Sequence, residues 1–148
     1  MEDRFTNGFI AGLIGGIGMS ILNLLSYYLG IAEVLYSEWG SVLVLGHRHA
    51  TVTEALIGQA SQLFFAAING VLFAYLIAII SNRYYYFKGW VFGLVVWFGS
   101  YVITILYKLT PLTPLKPDTV ISNIVTASVY GLVLAWSLLW LTLREKAK

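Results

Sequence analysis

The sequence predicts an all-α membrane protein in which four transmembrane helices form one bundle. Hydrophobic residues make up 59% of the 148 residues and charged residues 11%, against about 25% charged in soluble domains. Each of four long apolar stretches has close to the roughly 20 helical residues that cross a hydrocarbon core. Since lipid offers no hydrogen bonds to the backbone, these stretches should be helices. Residues 1–148 are therefore expected to form a single integral membrane domain.

The net charge and the absence of cysteine exclude several classes of function. A charge of +2 is too small to indicate nucleic acid as a partner. A chain with no cysteine forms no disulfide, thiolate nucleophile, iron–sulfur cluster or cysteine zinc site. We expect no cofactor, and the predicted partners are the lipid bilayer and other membrane subunits or further copies of the chain.

The four predicted transmembrane spans cover residues 8–30, 52–80, 89–107 and 120–143. The segment before the first span lacks the usual basic region and cleavage site of a signal peptide, so that span is expected to be retained. The second span is long enough to tilt or to project from the bilayer. Before the fourth, "TPLTPLKPD" predicts an extended connector, with Asp118 or Thr119 as the helix N-cap.

Between the first two spans, the apolar stretch from Val34 to Leu45 is too short to cross the membrane and contains Glu38 and Trp39. It predicts a short amphipathic helix on the membrane surface or a shallow re-entrant segment. An ordinary structured loop is the alternative. We expect Trp39 at the outer membrane interface, where tryptophan is enriched.

The distribution of basic residues predicts the orientation. Four spans place both termini and the 81–88 loop on one side, which holds six Lys and Arg residues, against three on the other side. Cytoplasmic loops carry an excess of these residues. Both termini should therefore be cytoplasmic.

Small residues recur every four positions along the first span, which predicts a face where another helix packs closely. The sequence leaves open whether that helix belongs to the same chain or to a second protomer. The face consists of Gly8, Gly12, Gly16 and Ser20.

Polar side chains from all four spans are predicted to lie at one level, toward the outer leaflet. They could line a cavity for a small polar solute, or they could form interhelical hydrogen bonds that fix the register of the bundle. No lysine, arginine or carboxylate lies near the middle of a span, which argues against a proton-coupled pump or a charge-selective pore. The candidate cavity residues are Asn23, Gln59, Gln62, Ser100, Thr104 and Asn123.

The stretch "GHRHATVTE" contains both histidines of the chain, His47 and His49. In an extended segment the two side chains would point to the same side, but zinc needs a further ligand and Arg48 lies between them. We therefore expect no metal site, and the histidines are weak candidates. A third ligand would have to come from Glu33, Glu38 or Glu54.

Glu54 has a structural interpretation. "TVTE" matches the capping box in which Thr51 caps the second span and Glu54 accepts a hydrogen bond from the amide of the cap residue.

The stretches "GFIAGLIGGIGMSILNLLSYYLG" and "GSVLVLGH", with Tyr130 and Gly131 in the last span, resemble small bacterial inner-membrane proteins of the YqhR and YagU kind. This resemblance implies a multi-pass protein of the bacterial cytoplasmic membrane. It implies no site residues.

Three functions are considered. The leading hypothesis is a non-enzymatic membrane protein that acts as an oligomer or as a subunit of a larger membrane assembly. The alternative is a channel or transporter for a small polar solute that uses the outer polar level. A membrane enzyme comes third, and it would have to use His47, His49 and Glu54.

Overall fold

The computed structural model describes residues 3–81 and 83–147. The described part of the chain is 83% helical and contains no strand. Four helices are long and apolar enough to cross a membrane, which confirms the predicted all-α, four-span architecture. The helices are α1 (Arg4–Tyr28), α2 (Tyr36–Leu45), α3 (Val52–Ile80), α4 (Tyr85–Leu106) and α5 (Pro117–Lys146), and one turn of 3₁₀-helix covers Thr110–Leu112.

The start of α5 differs from the prediction. The helix begins at Pro117, and Lys116 is its N-cap, so Asp118 and Thr119 lie inside the first turn. The predicted cap was wrong because proline is well suited to the first helical position, where its missing N–H would be unpaired in any case. The Thr119 hydroxyl instead accepts a hydrogen bond from the Glu33 amide at 3.0 Å.

The start of α3 matches the predicted capping box. The Thr51 hydroxyl accepts a hydrogen bond from the Glu54 amide at 3.3 Å. The Glu54 carboxylate in turn accepts from the amides of Thr51 at 3.2 Å and Ala50 at 2.7 Å. The carboxylate therefore satisfies backbone donors at the helix start, and the predicted structural role of Glu54 is confirmed.

The order of the helices around the bundle is not their order in the chain. α1 packs against α3 on one side and against α5 on the other, and α4 packs against α5. α3 and α4, although consecutive in the sequence, barely touch each other. The bundle is consequently open between these two helices.

The segment between α1 and α2 turns back into the bundle. The amide of Tyr36, the first residue of α2, donates to Asn23 Oδ1 at 2.8 Å, and Asn23 lies more than a turn before α1 ends at Tyr28. α2 thus begins below the end of α1 and packs along α3. This arrangement corresponds to the re-entrant alternative.

Trp39 lies inside the protein and not on its surface, while its depth at the outer membrane interface stays a prediction. Its side chain is 6% exposed, and its indole N–H donates to Thr104 Oγ1 of α4 at 2.8 Å. A buried indole needs such a partner. Thr104 provides the acceptor because the re-entrant segment brings α2 beside α4.

The small-residue face of α1 contacts α3 of the same chain. A Cβ atom added to Gly8 would lie 2.8 Å from the Gly70 carbonyl oxygen, and one added to Gly12 would lie 2.8 Å from the Cα of Ala67. At Gly16 the nearest atom is the Cβ of Ala66, also at 2.8 Å. These distances are too short for real side chains.

Two further crossings use glycines that the sequence analysis did not single out. Gly89 and Gly93 of α4 lie against Gly131 of α5, and Gly40 of α2 lies against Gly58 of α3. Helix backbones approach this closely only where side chains are very small. Closely packed glycines therefore lie at three of the four most extensive helix contacts of the described residues, namely α1–α3, α4–α5 and α2–α3.

The beginning of α1 and the end of α5 meet at the same end of the bundle. Asn7 Nδ2 donates to Glu145 Oε2 at 2.7 Å, and the Asp3 amide donates to Glu145 Oε1 at 3.2 Å. α2 and the loop that contains the histidines lie at the opposite end.

Candidate functional site

A hydrogen-bonded network joins α1, α2, α4 and α5 at one level. Asn23 Nδ2 donates to Asn123 Oδ1 at 3.2 Å, and Asn123 Nδ2 donates to the Tyr101 hydroxyl at 2.9 Å. The Tyr36 hydroxyl donates to the backbone carbonyl of Asn123 at 2.9 Å. Asn23 is 2% exposed and Asn123 is fully buried. These amides bind each other, so they satisfy groups that would be costly in lipid.

A second polar group joins α1 and α3. Gln59 Nε2 donates to Ser20 Oγ at 2.9 Å and to Gln62 Oε1 at 2.8 Å. The Ser20 hydroxyl also lies 3.0 Å from Gln62 Oε1 and 2.9 Å from the Gly16 carbonyl oxygen. Ser20 therefore extends the small-residue face of α1 with a polar contact to α3.

The structure does not bring the six candidate polar residues together in one cavity. Asn23 and Asn123 form one pair, Gln59 and Gln62 form another, and the Thr104 hydroxyl donates to the Ser100 carbonyl of its own helix at 2.8 Å. Half of them, Gln62, Ser100 and Thr104, line the main cavity of the protein, while Asn23, Gln59 and Asn123 do not.

That cavity is a cleft of about 670 Å³ between α3 and α4. We call it the lateral cleft. Ala60 to Asn69 of α3 form one wall and Gly93 to Thr104 of α4 form the other. Met19, Ala127 and Tyr130 lie at the back, and Trp39, Leu43 and Val44 of α2 close one end.

The lining of the lateral cleft is apolar and aromatic. Phe64 and Phe65 of α3 are 60% and 51% exposed and lie on the wall opposite Trp97 of α4. Tyr130 at the back is 1% exposed, and its hydroxyl donates to the Ala66 carbonyl at 2.7 Å. A volume between about 300 and 1,000 Å³ with such a lining is typical of small-molecule sites.

One polar group on the α3 wall has an unused donor. The Gln62 side chain is 6% exposed, and its Oε1 accepts hydrogen bonds from Gln59 and Ser20. Its Nε2 is buried and has no partner within residues 3–81 and 83–147. An unpaired buried donor costs about 1–3 kcal/mol, so this amide favours an additional hydrogen-bond acceptor.

The histidines lie in the loop between α2 and α3 and make separate contacts. His47 is exposed, and its Nδ1 lies 2.9 Å from the Arg48 carbonyl oxygen. His49 Nδ1 lies 3.4 Å from Ser41 Oγ. Among the described residues, no group of three or more His, Cys, Asp or Glu side chains is positioned to hold a metal ion.

Arg48 forms an ion pair that the sequence analysis missed. Its Nε and one terminal nitrogen lie 2.8 and 2.7 Å from Glu38 Oε1, and Glu38 Oε2 accepts from the Leu35 amide at 2.8 Å. The Glu38 side chain is 7% exposed, so Arg48 neutralises a nearly buried carboxylate. On the same end of the bundle, exposed Lys116 pairs with Glu33, which raises the pKa of that lysine.

The fold and the cleft define a class: a small multi-pass helical membrane protein with a lateral apolar cavity. The chain belongs to the DUF6789 family, a family of unknown function, which it matches over residues 2–148. No curated protein and no solved structure matches the chain.

Proposed function

We propose that this protein is a non-enzymatic membrane protein that binds one elongated apolar molecule from the membrane in the lateral cleft. The observation that carries the proposal is the cleft of about 670 Å³ between α3 and α4, two helices that barely touch each other. In a bilayer, an opening between two membrane-spanning helices would face lipid. A ligand that lives in the bilayer could enter it sideways without crossing water.

The volume of the cleft favours an elongated apolar molecule, and not a transmembrane helix, as its occupant. A transmembrane helix about 10 Å wide and 30 Å long fills roughly 2,400 Å³, several times the cavity volume. Pockets that bind small molecules have volumes of about 300 to 1,000 Å³, and the cleft lies within this range. We therefore commit to one elongated apolar molecule.

The length and position of the cleft favour a ligand that occupies one leaflet. Residues 60–69 of α3 extend about 14 Å along a helix axis, close to half of the roughly 30 Å hydrocarbon core. The cleft lies toward the α2 end of the bundle. With both termini in the cytoplasm, as the distribution of basic residues favours, it would open to the outer leaflet.

Transport of a polar solute has less support from the geometry than binding. The amides of Asn23 and Asn123 are buried and hydrogen-bonded to each other and to Tyr36 and Tyr101, which corresponds to the structural alternative for the polar level. A membrane enzyme built on His47, His49 and Glu54 also has little support, because Glu54 is engaged in the capping box.

Quenching of tryptophan fluorescence by a brominated lipid tests the binding proposal. In a Trp90→Phe, Trp136→Phe, Trp140→Phe background, the remaining tryptophans, Trp39 and Trp97, both line the cleft. We expect a phosphatidylcholine with a dibrominated stearoyl chain to quench them saturably at low mole fraction in vesicles.

Two matched variants complete this test. Ala60→Phe places a ring in the cleft and should abolish the saturable phase, whereas Ala78→Phe changes an exposed alanine of the same helix that does not line the cleft. Quenching that rises only in proportion to the mole fraction of the lipid, in all three proteins, would overturn the proposal.

Assembly through α4 is the second candidate function. Only 17% of the most apolar window of α4 is buried within the protein, against 39–44% for the other three long helices. Gly8, Gly12 and Gly16 contact α3 within the chain, so an assembly would need a different surface. Gly99 of α4 has open space where a Cβ would be and could accommodate a partner helix.

The stoichiometry of labelled protein in lipid nanodiscs tests the second candidate. If α4 is the interface, we expect dimers or larger oligomers for the unmodified chain and monomers for Gly99→Phe, with Ala78→Phe unchanged. A strictly monomeric chain at all ratios of protein to lipid would contradict assembly of identical copies.

A further inference from the structure

Gln62 lies on the wall of the lateral cleft, and the oxygen and nitrogen of its side-chain amide differ in their hydrogen bonding. The oxygen accepts hydrogen bonds from Gln59 Nε2 at 2.8 Å and from the Ser20 hydroxyl at 3.0 Å. The nitrogen is buried and has no partner in the described part of the chain. The hydrogen bonds to the oxygen fix the orientation of the amide, which leaves the N–H donors directed away from Ser20 and Gln59.

The nearby hydroxyl groups do not supply the missing acceptor. Ser61 donates to the Ile57 carbonyl at 2.8 Å, and Ser100 donates to the Val96 carbonyl at 2.9 Å. Both hydroxyls are held close to their own helices by these bonds. In lipid, an unpaired polar group is costly, and water is scarce at this depth. An acceptor brought by the occupant of the cleft would remove that cost.

We infer that the ligand of the cleft carries a carbonyl oxygen at one end of its apolar chain, and that this oxygen accepts a hydrogen bond from Gln62 Nε2. The inference rests on the proposed function and names the ligand chemistry of that site. Gln62 lies on the same face of the cleft as Ala66 and Asn69, one to two turns nearer to the α2 end. The carbonyl would therefore lie toward the membrane surface and the chain would extend toward the bilayer centre.

Two membrane components share this chemistry. An ester lipid has carbonyl groups just below its head group, and an isoprenoid quinone has ring carbonyls at the end of its chain. In either molecule, a polar acceptor joins a chain of roughly one leaflet in length. Neither requires a charged side chain, and none of the described residues that line the cleft is charged.

The test compares two brominated probes of equal chain length, the methyl ester of dibromostearic acid and dibromooctadecane. Each is titrated in detergent micelles against the protein that retains Trp39 and Trp97 as its only tryptophans. One additional hydrogen bond to the ester corresponds to an affinity about fivefold higher than that of the hydrocarbon. We expect half-saturation by the ester at about fivefold lower mole fraction than by the hydrocarbon.

Two variants assign that preference to the amide nitrogen. Gln62→Leu keeps a similar volume without the donor, so both probes should saturate it at equal mole fractions. Ser20→Ala removes a hydrogen bond to the Gln62 oxygen and leaves the nitrogen in place, so the preference for the ester should persist. Loss of the preference in Ser20→Ala as well would indicate a purely structural effect and would overturn the inference.

The outcomes separate the inference from the proposed function. If both probes saturate the protein equally well, the role of Gln62 is overturned while the cleft remains a binding site. If neither probe saturates, the proposed function itself fails. Competition then identifies the source of the carbonyl, since displacement of the ester by a diacyl lipid supports a lipid ligand and displacement by an isoprenoid quinone supports a quinone. Displacement by neither would overturn the inferred chemistry.

Discussion

Replacing Asn123 with leucine is expected to lower the free energy of unfolding by about 3 kcal/mol, because the change removes both hydrogen bonds of a buried amide and leaves two polar groups without that partner. Asn123 is fully buried. Its oxygen accepts from Asn23, and its nitrogen donates to Tyr101. Leucine has a similar size but offers neither atom, so the Asn23 amide and the Tyr101 hydroxyl would both lose a partner inside the bundle.

Asn69→Leu is the matched control for this measurement. Asn69 is also buried, at 8% exposure, but its nitrogen donates to the Phe65 carbonyl of its own helix at 2.9 Å and, among the described residues, to no other helix. The same substitution there should cost about 1 kcal/mol or less, in line with single hydrogen bonds in membrane bundles. Reversible unfolding in mixed micelles with increasing denaturing detergent would measure the loss of stability in each of the two variants. Equal losses at the two positions would show that the network does not stabilise the bundle beyond a local bond.

The length and the apolar composition of four stretches were enough to predict the four long helices. Every backbone group in lipid needs an internal partner, so an apolar stretch of sufficient length has few alternatives to a helix. The capping box at Thr51 and Glu54 was also predictable, because both partners lie within one turn. The capping box depends on local residue spacing, and the long helices depend on the requirements of a lipid environment. Both can be recognised in a single sequence.

The lateral cleft could not be predicted from the sequence, because it depends on the choice of helix partners. α3 and α4 are consecutive and could have packed as a hairpin. Instead, Gly89 and Gly93 lie against Gly131, which places α4 on α5. The four-residue spacing of those two glycines was visible in the sequence and indicates a close crossing, but it does not identify the helix that is crossed.

Asn23 and Asn123 lie at one level of the bundle, but the connections of the polar level were not predicted, and its place toward the outer leaflet stays a prediction. Asn23, Gln62 and Asn123 were predicted to lie toward one leaflet, but neither Tyr36 nor Trp39 was predicted to belong to that level. Both enter it because α2 begins inside the bundle, and a ten-residue apolar segment gives no sign of its depth in the membrane. The re-entrant segment thus provides the side chains that close one end of the lateral cleft.

A single methyl group added at Gly12 is expected to destabilise the bundle by about 3 kcal/mol, near the upper range for overpacking. The new Cβ would lie 2.8 Å from the Cα of Ala67 and closer still to the Ala66 carbonyl oxygen. These are backbone atoms, so no rotamer change can relieve the contact. α1 and α3 would have to move apart, which would also lengthen the contact between Ser20 and Gln62.

Gly99→Ala is the control, because it makes the same substitution in a helix where no atom lies within 4 Å of the added carbon. Alanine is a better helix former than glycine, so this variant should be unchanged or more stable by up to about 1 kcal/mol. The free energy of unfolding of each variant would be measured with monomeric protein in mixed micelles. A decrease for Gly12→Ala together with no change or an increase for Gly99→Ala would show that the glycine face of α1 packs within the chain. If Gly12→Ala were as stable as Gly99→Ala, α1 and α3 would not be in close contact, and the wall of the lateral cleft formed by α3 would lose its support.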